Sequence, residues 1–138
     1  MDKLPTFCEK RRKNFDRYQE IFKCYEKYFI LPEAATGSDP AWFSYILTLK
    51  DGVPFVREQL LKFLEENKIE TRNLFAGNII RQPAFIDKAF RVAGTLDNTD
   101  RIMSNTFFLG TYPGLTVEML DYIAGVFEKF IGMMSSQR

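Results

Sequence analysis

Histidine is absent from this 138-residue chain. Its absence excludes histidine-ligated metals, histidine general bases and serine–histidine triads at once. Cysteine occurs only twice, at Cys8 and Cys24. That spacing is no CxxC motif, and two thiols are too few for a four-cysteine metal site. Both fall in a predicted helix and read as reduced thiols of a cytoplasmic protein. No Gly-rich phosphate loop is present: Gly77 stands alone, and Gly110 and Gly114 are separated by a Tyr-Pro turn. No apolar run approaches membrane-spanning length, and no signal-peptide pattern opens the chain. The net charge is +1, with no basic face beyond Lys10 to Lys13, which argues against nucleic-acid binding.

What is abundant is phenylalanine, 14 residues, alongside six tyrosines and one tryptophan. So many aromatics in one small domain suggest a core plus a partner surface. Residues from about Pro5 to Tyr28 read as one long amphipathic helix. Phe15, Tyr18, Phe22, Tyr25 and Phe29 recur every three or four positions, opposite a charged side. Such a helix packs on its own domain or connects to another one. Residues 29–40 look like a linker. Trp42 to Lys50 alternates as a half-buried strand, with Phe43, Tyr45, Leu47 and Leu49 on one side. A second helix runs from Pro54 to about Asn67, and a second strand from Ile69 to Leu74. A short helix capped by Asp97 or Asn98 ends near Met103. Thr106 to Thr111 is the third strand. Thr116 caps a last helix that stops at Gly132. The order α-β-α-β-α-β-α predicts an α+β domain, a sheet of about three strands with helices on one face.

The stretch with the most binding character is residues 71–85, TRNLFAGNIIRQPAF. Arg72, Asn73, Asn78, Arg81 and Gln82 sit among Leu74, Phe75, Ile79, Ile80 and Phe85, polar donors in an apolar frame. Gly77 marks a shaped turn. An ordinary strand-to-loop junction with surface Arg and Asn would look the same. Reactive groups are few. Glu65 and Glu66 lie on a helix face as solvated charges, and Asp97 and Asp100 read as helix-start residues. Ser104, Asn105 and Thr106 come with no base. The chain therefore reads as a binding or half-site domain.

These motifs carry a resemblance. LPEAATGSDPAWF, TRNLFAGNIIRQPAF, FRVAG, NTDRIMSNTFFLGTYPGLT and EMLDYIAGVFEKF resemble the C-terminal part of the sugar-nucleotide 3-dehydratases, over about Leu4 to Phe130. The most specific combination is FAGN-x-x-RQP with NTF-x-x-G-x-YPGLT. These enzymes belong to the sugar aminotransferase-like (DegT/DnrJ/EryC1/StrS) group. The resemblance implies the small C-terminal domain of a fold-type I enzyme dependent on pyridoxal or pyridoxamine phosphate (PLP/PMP). Residues 1–138 would form one domain, with a connector helix at about 5–28 and an α+β body at about 41–132, and the large cofactor domain would be absent. The implied reaction removes the C3 hydroxyl of a nucleotide-linked 4-keto-6-deoxyhexose, in a cytoplasmic homodimer. The family's active-site base is a histidine, so this chain alone is expected to be catalytically silent, as a cut piece or a truncated product. An iron–sulfur cluster, present in some relatives, would not be ligated by Cys8 and Cys24.

On the same resemblance, Phe75, Asn78, Arg81 and Gln82 are the first candidates for substrate contact. Phe107, Phe108 and Tyr112 come second, with core packing as their alternative role. An arginine beside a nucleoside diphosphate has an electrostatic rationale. Arg72 serves equally as a structural ion-pair residue. A sugar 4-aminotransferase domain and a non-catalytic module binding a sugar nucleotide or a protein are the other readings. An apolar surface is expected along the first helix.

Overall fold

The computed structural model describes residues 2–136. Helix α1 spans Leu4–Lys23, with Pro5 in its first turn, where the missing N–H costs nothing. It ends five residues before the predicted Tyr28. Tyr25, Tyr28 and Phe29 continue the apolar rhythm but lie in turns, closed by hydrogen bonds from the Tyr28 and Phe29 amides to the Tyr25 carbonyl. These turns reverse the chain, so that Phe29–Ile30 becomes strand β1 rather than linker.

Strand β1 pairs antiparallel with β2 (Ser44–Leu49), β2 with β4 (Thr106–Gly110), and β4 with β3 (Arg72–Asn73). The sheet order is β1-β2-β4-β3, so there are four strands among the described residues rather than three. The predicted second strand, Ile69 to Leu74, contracts to the two residues of β3. Lys68 at φ +61° and Phe75 at φ +43° bend the chain away on either side. Helix α2 is Arg57–Glu66, α3 is Asp97–Asn105 and α4 is Val117–Ser135. Thr116 caps α4 as expected, accepting from the Met119 amide at 3.3 Å, but the helix continues past Gly132. No side chain caps α3, whose N-cap is Leu96 instead of Asp97 or Asn98.

Three helices cover one face of the sheet. Phe15, Tyr18 and Phe22 of α1, Leu60 and Leu64 of α2, and Phe127 and Phe130 of α4 bury against Tyr45, Leu47, Phe107 and Leu109. Phe22 is the hub: its ring lies within about 6 Å of Tyr18, Tyr25, Phe29, Tyr45 and Phe127. Helix α1 is thus a core element of this domain. Its exposed apolar residues are Leu4 and Phe7, at its start, rather than a stripe along its length. The larger exposed apolar stretch is residues 83–95, with Phe85, Ile86, Phe90 and Val92.

The opposite sheet face carries Ile46, Thr48, Thr106 and Phe108. The hydroxyls of the cross-strand pair Thr48 and Thr106 meet at 2.8 Å. Phe43, expected beside Tyr45, instead precedes β2 at a bend. It is exposed and sets its ring edge-on to Phe108 at 5.8 Å, on this second face. Helix α3 leads directly into β4 and adds nothing to the main core.

Candidate functional site

The sequence-predicted residues divide between two places. The first is the turn that follows β3. Phe75 holds a left-handed backbone, is 81% exposed, and sets its ring 6.4 Å from Phe108. Gly77 is also left-handed, at φ +62°, and a Cβ there would meet Met103 Cγ at 2.5 Å. Glycine is therefore required on both counts, and the turn lies flat against α3. Asn78, 1% exposed, caps the 3-10 turn Ile79–Arg81 by accepting from the Ile80 amide at 3.3 Å. Its amide nitrogen donates to Asp100 Oδ1 at 2.7 Å. Arg81 closes on the same carboxylate in a bidentate pair, Nε to Oδ1 at 3.2 Å and Nη2 to Oδ2 at 2.7 Å. Gln82 turns back and donates to the Ala76 carbonyl. Asn78 and Gln82 thus shape the turn, while Phe75 and Arg81 remain exposed on it.

Asp100 is the residue that sequence reasoning assigned a different task. A place in the first turn of α3 accounted for it locally, and nothing local announced partners 19 and 22 positions upstream. The hydrogen bonds from Arg81, then Asn78, hold its carboxyl below the ordinary aspartate pKa. The folded pKa lies below the unfolded one. The clamp is therefore intact above the unfolded value and is lost as pH falls through the folded value. A carbon-detected titration of Asp100 is expected to give a midpoint below that of an exposed aspartate. An unshifted midpoint would refute the clamp.

The second place is a cleft of about 690 Å³ beyond the start of β3, where Leu109 and Gly110 of β4 pair with β2 but lie past the last residue paired with β3. Phe108, Tyr112, Met119 and Tyr122 line it, with Arg11 and Lys68 among its cations. Of the predicted residues, Phe108 and Tyr112 lie here, and Phe107 is in the core on the helix face. The walls are pinned by α1. Arg11 donates to the Trp42 and Phe43 carbonyls at 3.0 and 3.3 Å, Asn14 donates to the Tyr112 carbonyl at 2.8 Å, and the Tyr18 hydroxyl donates to the Gly110 carbonyl at 3.3 Å. Burial raises the Tyr18 pKa, so that hydroxyl remains a donor. Sequence reading placed Arg11 on a solvated helix side and did not single out Lys68, Met119 or Tyr122; helical periodicity carries no sign of a cleft. Arg72, the alternative ion-pair residue, bonds Glu70 at 2.7 Å on the surface.

Neither place holds a nucleophile beside a base. Among the described residues no lysine is buried, and no three His, Cys, Asp or Glu side chains converge on a metal-sized site. Cys8 and Cys24 lie about 24 Å apart along α1, at 1.5 Å per residue, so they do not form one cluster site. The residues present do not by themselves fit a pyridoxal phosphate group, which needs a phosphate cradle and a lysine or an equivalent base. The groups present supply hydrogen bonds, charge and apolar contact, which suit binding and orienting rather than bond breaking.

The chain is 47% identical, over 96% of its length, to the lipopolysaccharide biosynthesis protein RfbH of Salmonella typhimurium. It is 38% identical, over 98% of its length, to the dTDP-4-dehydro-2,6-dideoxy-D-glucose 3-dehydratase of Saccharopolyspora spinosa. It spans only 30% and 29% of those two relatives. Among solved structures, the GDP-4-keto-6-deoxy-D-mannose-3-dehydratase of Escherichia coli, with bound hydrated PLP, superposes with a TM-score of 0.81 at 25% identity. That match covers 91% of this chain and 32% of the other. The sequence pattern of the DegT/DnrJ/EryC1/StrS aminotransferase family matches residues 1–128, and the chain belongs to that family.

Proposed function

We propose that residues 1–138 act as the small domain of a sugar-nucleotide 3-dehydratase, which removes the C3 hydroxyl of a nucleotide-linked 4-keto-6-deoxyhexose in lipopolysaccharide dideoxysugar synthesis. The observation that carries this reading is the 47% identity to RfbH, held over nearly the whole chain and confined to 30% of the relative. The remaining two thirds of such an enzyme would hold the pyridoxamine phosphate, which supplies the electron sink for C3–oxygen cleavage. Any iron–sulfur cluster would belong there too. The working unit in this reading is a cytoplasmic homodimer.

The part played by this chain is positional. Phe75 and Arg81 stand exposed on a turn that Gly77, Asn78 and Gln82 hold rigid. Exposed Phe75 and Phe43, both set against the buried Phe108 ring, offer aromatic surface against which the apolar face of a sugar or a base packs. Tyr112 adds a phenol at the rim of the neighbouring cleft. Catalytic groups are not assigned within the chain.

The test is a chimera in which residues 1–138 replace the matching C-terminal third of RfbH. Its product from a nucleotide-linked 4-keto-6-deoxyhexose is analysed by mass spectrometry. Loss of the C3 oxygen is expected. Gain of nitrogen at C4 would make this a sugar 4-aminotransferase domain. An inactive chimera that folds and binds cofactor would overturn the dehydratase reading.

A further inference from the structure

Arg81 has two usable donor edges, and only one is occupied. The Nε–Nη2 edge lies along the Asp100 carboxylate. The outer edge, Nη1 with the second Nη2 proton, has no protein partner among the described residues, and the side chain is 59% exposed. Asp100 is itself fixed. Buried Asn78 bonds its Oδ1, and its own amide donates to the Leu96 carbonyl at 2.8 Å within α3. The guanidinium plane is therefore tied to α3 and to the Asn78 turn together. An exposed arginine without such ties samples many rotamers, and ordering it on a ligand costs entropy.

The same contact changes what the arginine recognises. A carboxylate in contact with the guanidinium cancels most of its field, so the attraction for a diphosphate is opposed by Asp100 close behind. Two parallel N–H donors in a fixed plane remain. They match two neighbouring neutral oxygens better than a concentrated negative charge.

We propose that Asp100 is a positioning residue that aims the outer edge of Arg81 at two adjacent oxygens of the hexose ring, so that Arg81 reads the sugar rather than its diphosphate. This rests on the reading that Arg81 faces the substrate. It replaces the diphosphate role that an isolated arginine suggests.

The test follows the Arg81 Nε–Hε signal by NMR in the 138-residue chain. Methyl 6-deoxyglucoside and inorganic pyrophosphate are titrated separately into the wild type, Asp100→Asn and Arg81→Lys. In the wild type the sugar is expected to move the signal at lower concentration than pyrophosphate. Asp100→Asn should shift the ratio of the two affinities toward pyrophosphate by about tenfold, roughly the loss of one charge-assisted hydrogen bond. Arg81→Lys, which keeps charge and loses the fork, should lose the sugar response. A purely structural Asp100 would lower the melting temperature of the variant and leave the ratio unchanged, which overturns the proposal. Pyrophosphate preference in the wild type, or an Arg81 signal that ignores both probes, overturns it as well and leaves the dehydratase reading to the chimera. A chimera that fails to dehydrate, beside an intact sugar response here, overturns that reading alone.

Discussion

Replacing Phe22 with alanine is expected to lower the unfolding free energy by about 3–5 kcal/mol, the range for deleting a fully buried phenylalanine. The ring is wholly buried and joins four elements. It stacks near Tyr45 of β2 at 5.3 Å, meets Phe127 of α4 and Phe29 of β1 edge-on at 4.7 and 6.3 Å, and tilts against Tyr18 one turn earlier in α1. Close packing on all sides leaves little room for the cavity to collapse, which places the cost toward the upper part of that range. A domain of this size has about 5–15 kcal/mol in total, so roughly a quarter or more of its stability rests on this one ring. Urea unfolding of the variant, followed by far-ultraviolet circular dichroism, checks the value. The outcome also decides the standing of α1. A helix serving only as a connector would tolerate the change with a loss under about 1 kcal/mol, as surface substitutions do. A loss of several kcal/mol makes it part of the domain's core.

The same helix shows where sequence reading succeeds and where it stops. Its buried side was legible, because Phe15, Tyr18 and Phe22 repeat at helical spacing and all three are buried. Its end was not, because Tyr25 and Phe29 continue that spacing while serving a turn and a strand. Periodicity reports which residues want burial, and a two-residue strand is too short to have a period of its own. Phe43 failed for a related reason. Alternation extends a strand by one residue at no cost on paper, whereas the bend at Phe43 sends its ring to the other face. In the candidate site, the turn at Gly77 was legible from glycine in an apolar frame. The Asp100 clamp was not, because a contact across 19 or 22 positions leaves no local pattern. The polar residues of the turn were singled out as a group. Their division into exposed Arg81 and Phe75, and inward-bonded Asn78 and Gln82, needed coordinates.

That turn carries the second large effect. Gly77→Ala is expected to cost about 2–5 kcal/mol, from two independent sources. A left-handed backbone costs an L-residue about 1–2 kcal/mol. Overpacking against Met103, whose Cβ and Cγ would lie 2.7 and 2.5 Å from the new methyl, adds about 1–3 kcal/mol. The two are separable. On a Met103→Ala background the Cγ contact disappears and the Cβ contact remains, so much of the overpacking is relieved. Gly77→Ala should then cost closer to the backbone value, and the double-mutant cycle should report a coupling of roughly 1 kcal/mol or more. The turn has a second way out, which is to detach from α3 instead of compressing against it. Detachment caps the global loss and moves the effect to local opening. It would part Asn78 and Arg81 from Asp100, and tryptic cleavage at the exposed Arg81, Lys88 and Arg91 should accelerate. Stability and cleavage measured on the same variants distinguish the two routes. A Gly77→Ala chain with wild-type stability and wild-type cleavage would mean that the turn does not hold its glycine-only backbone against α3, and the fixed placement of Arg81 would fall with it.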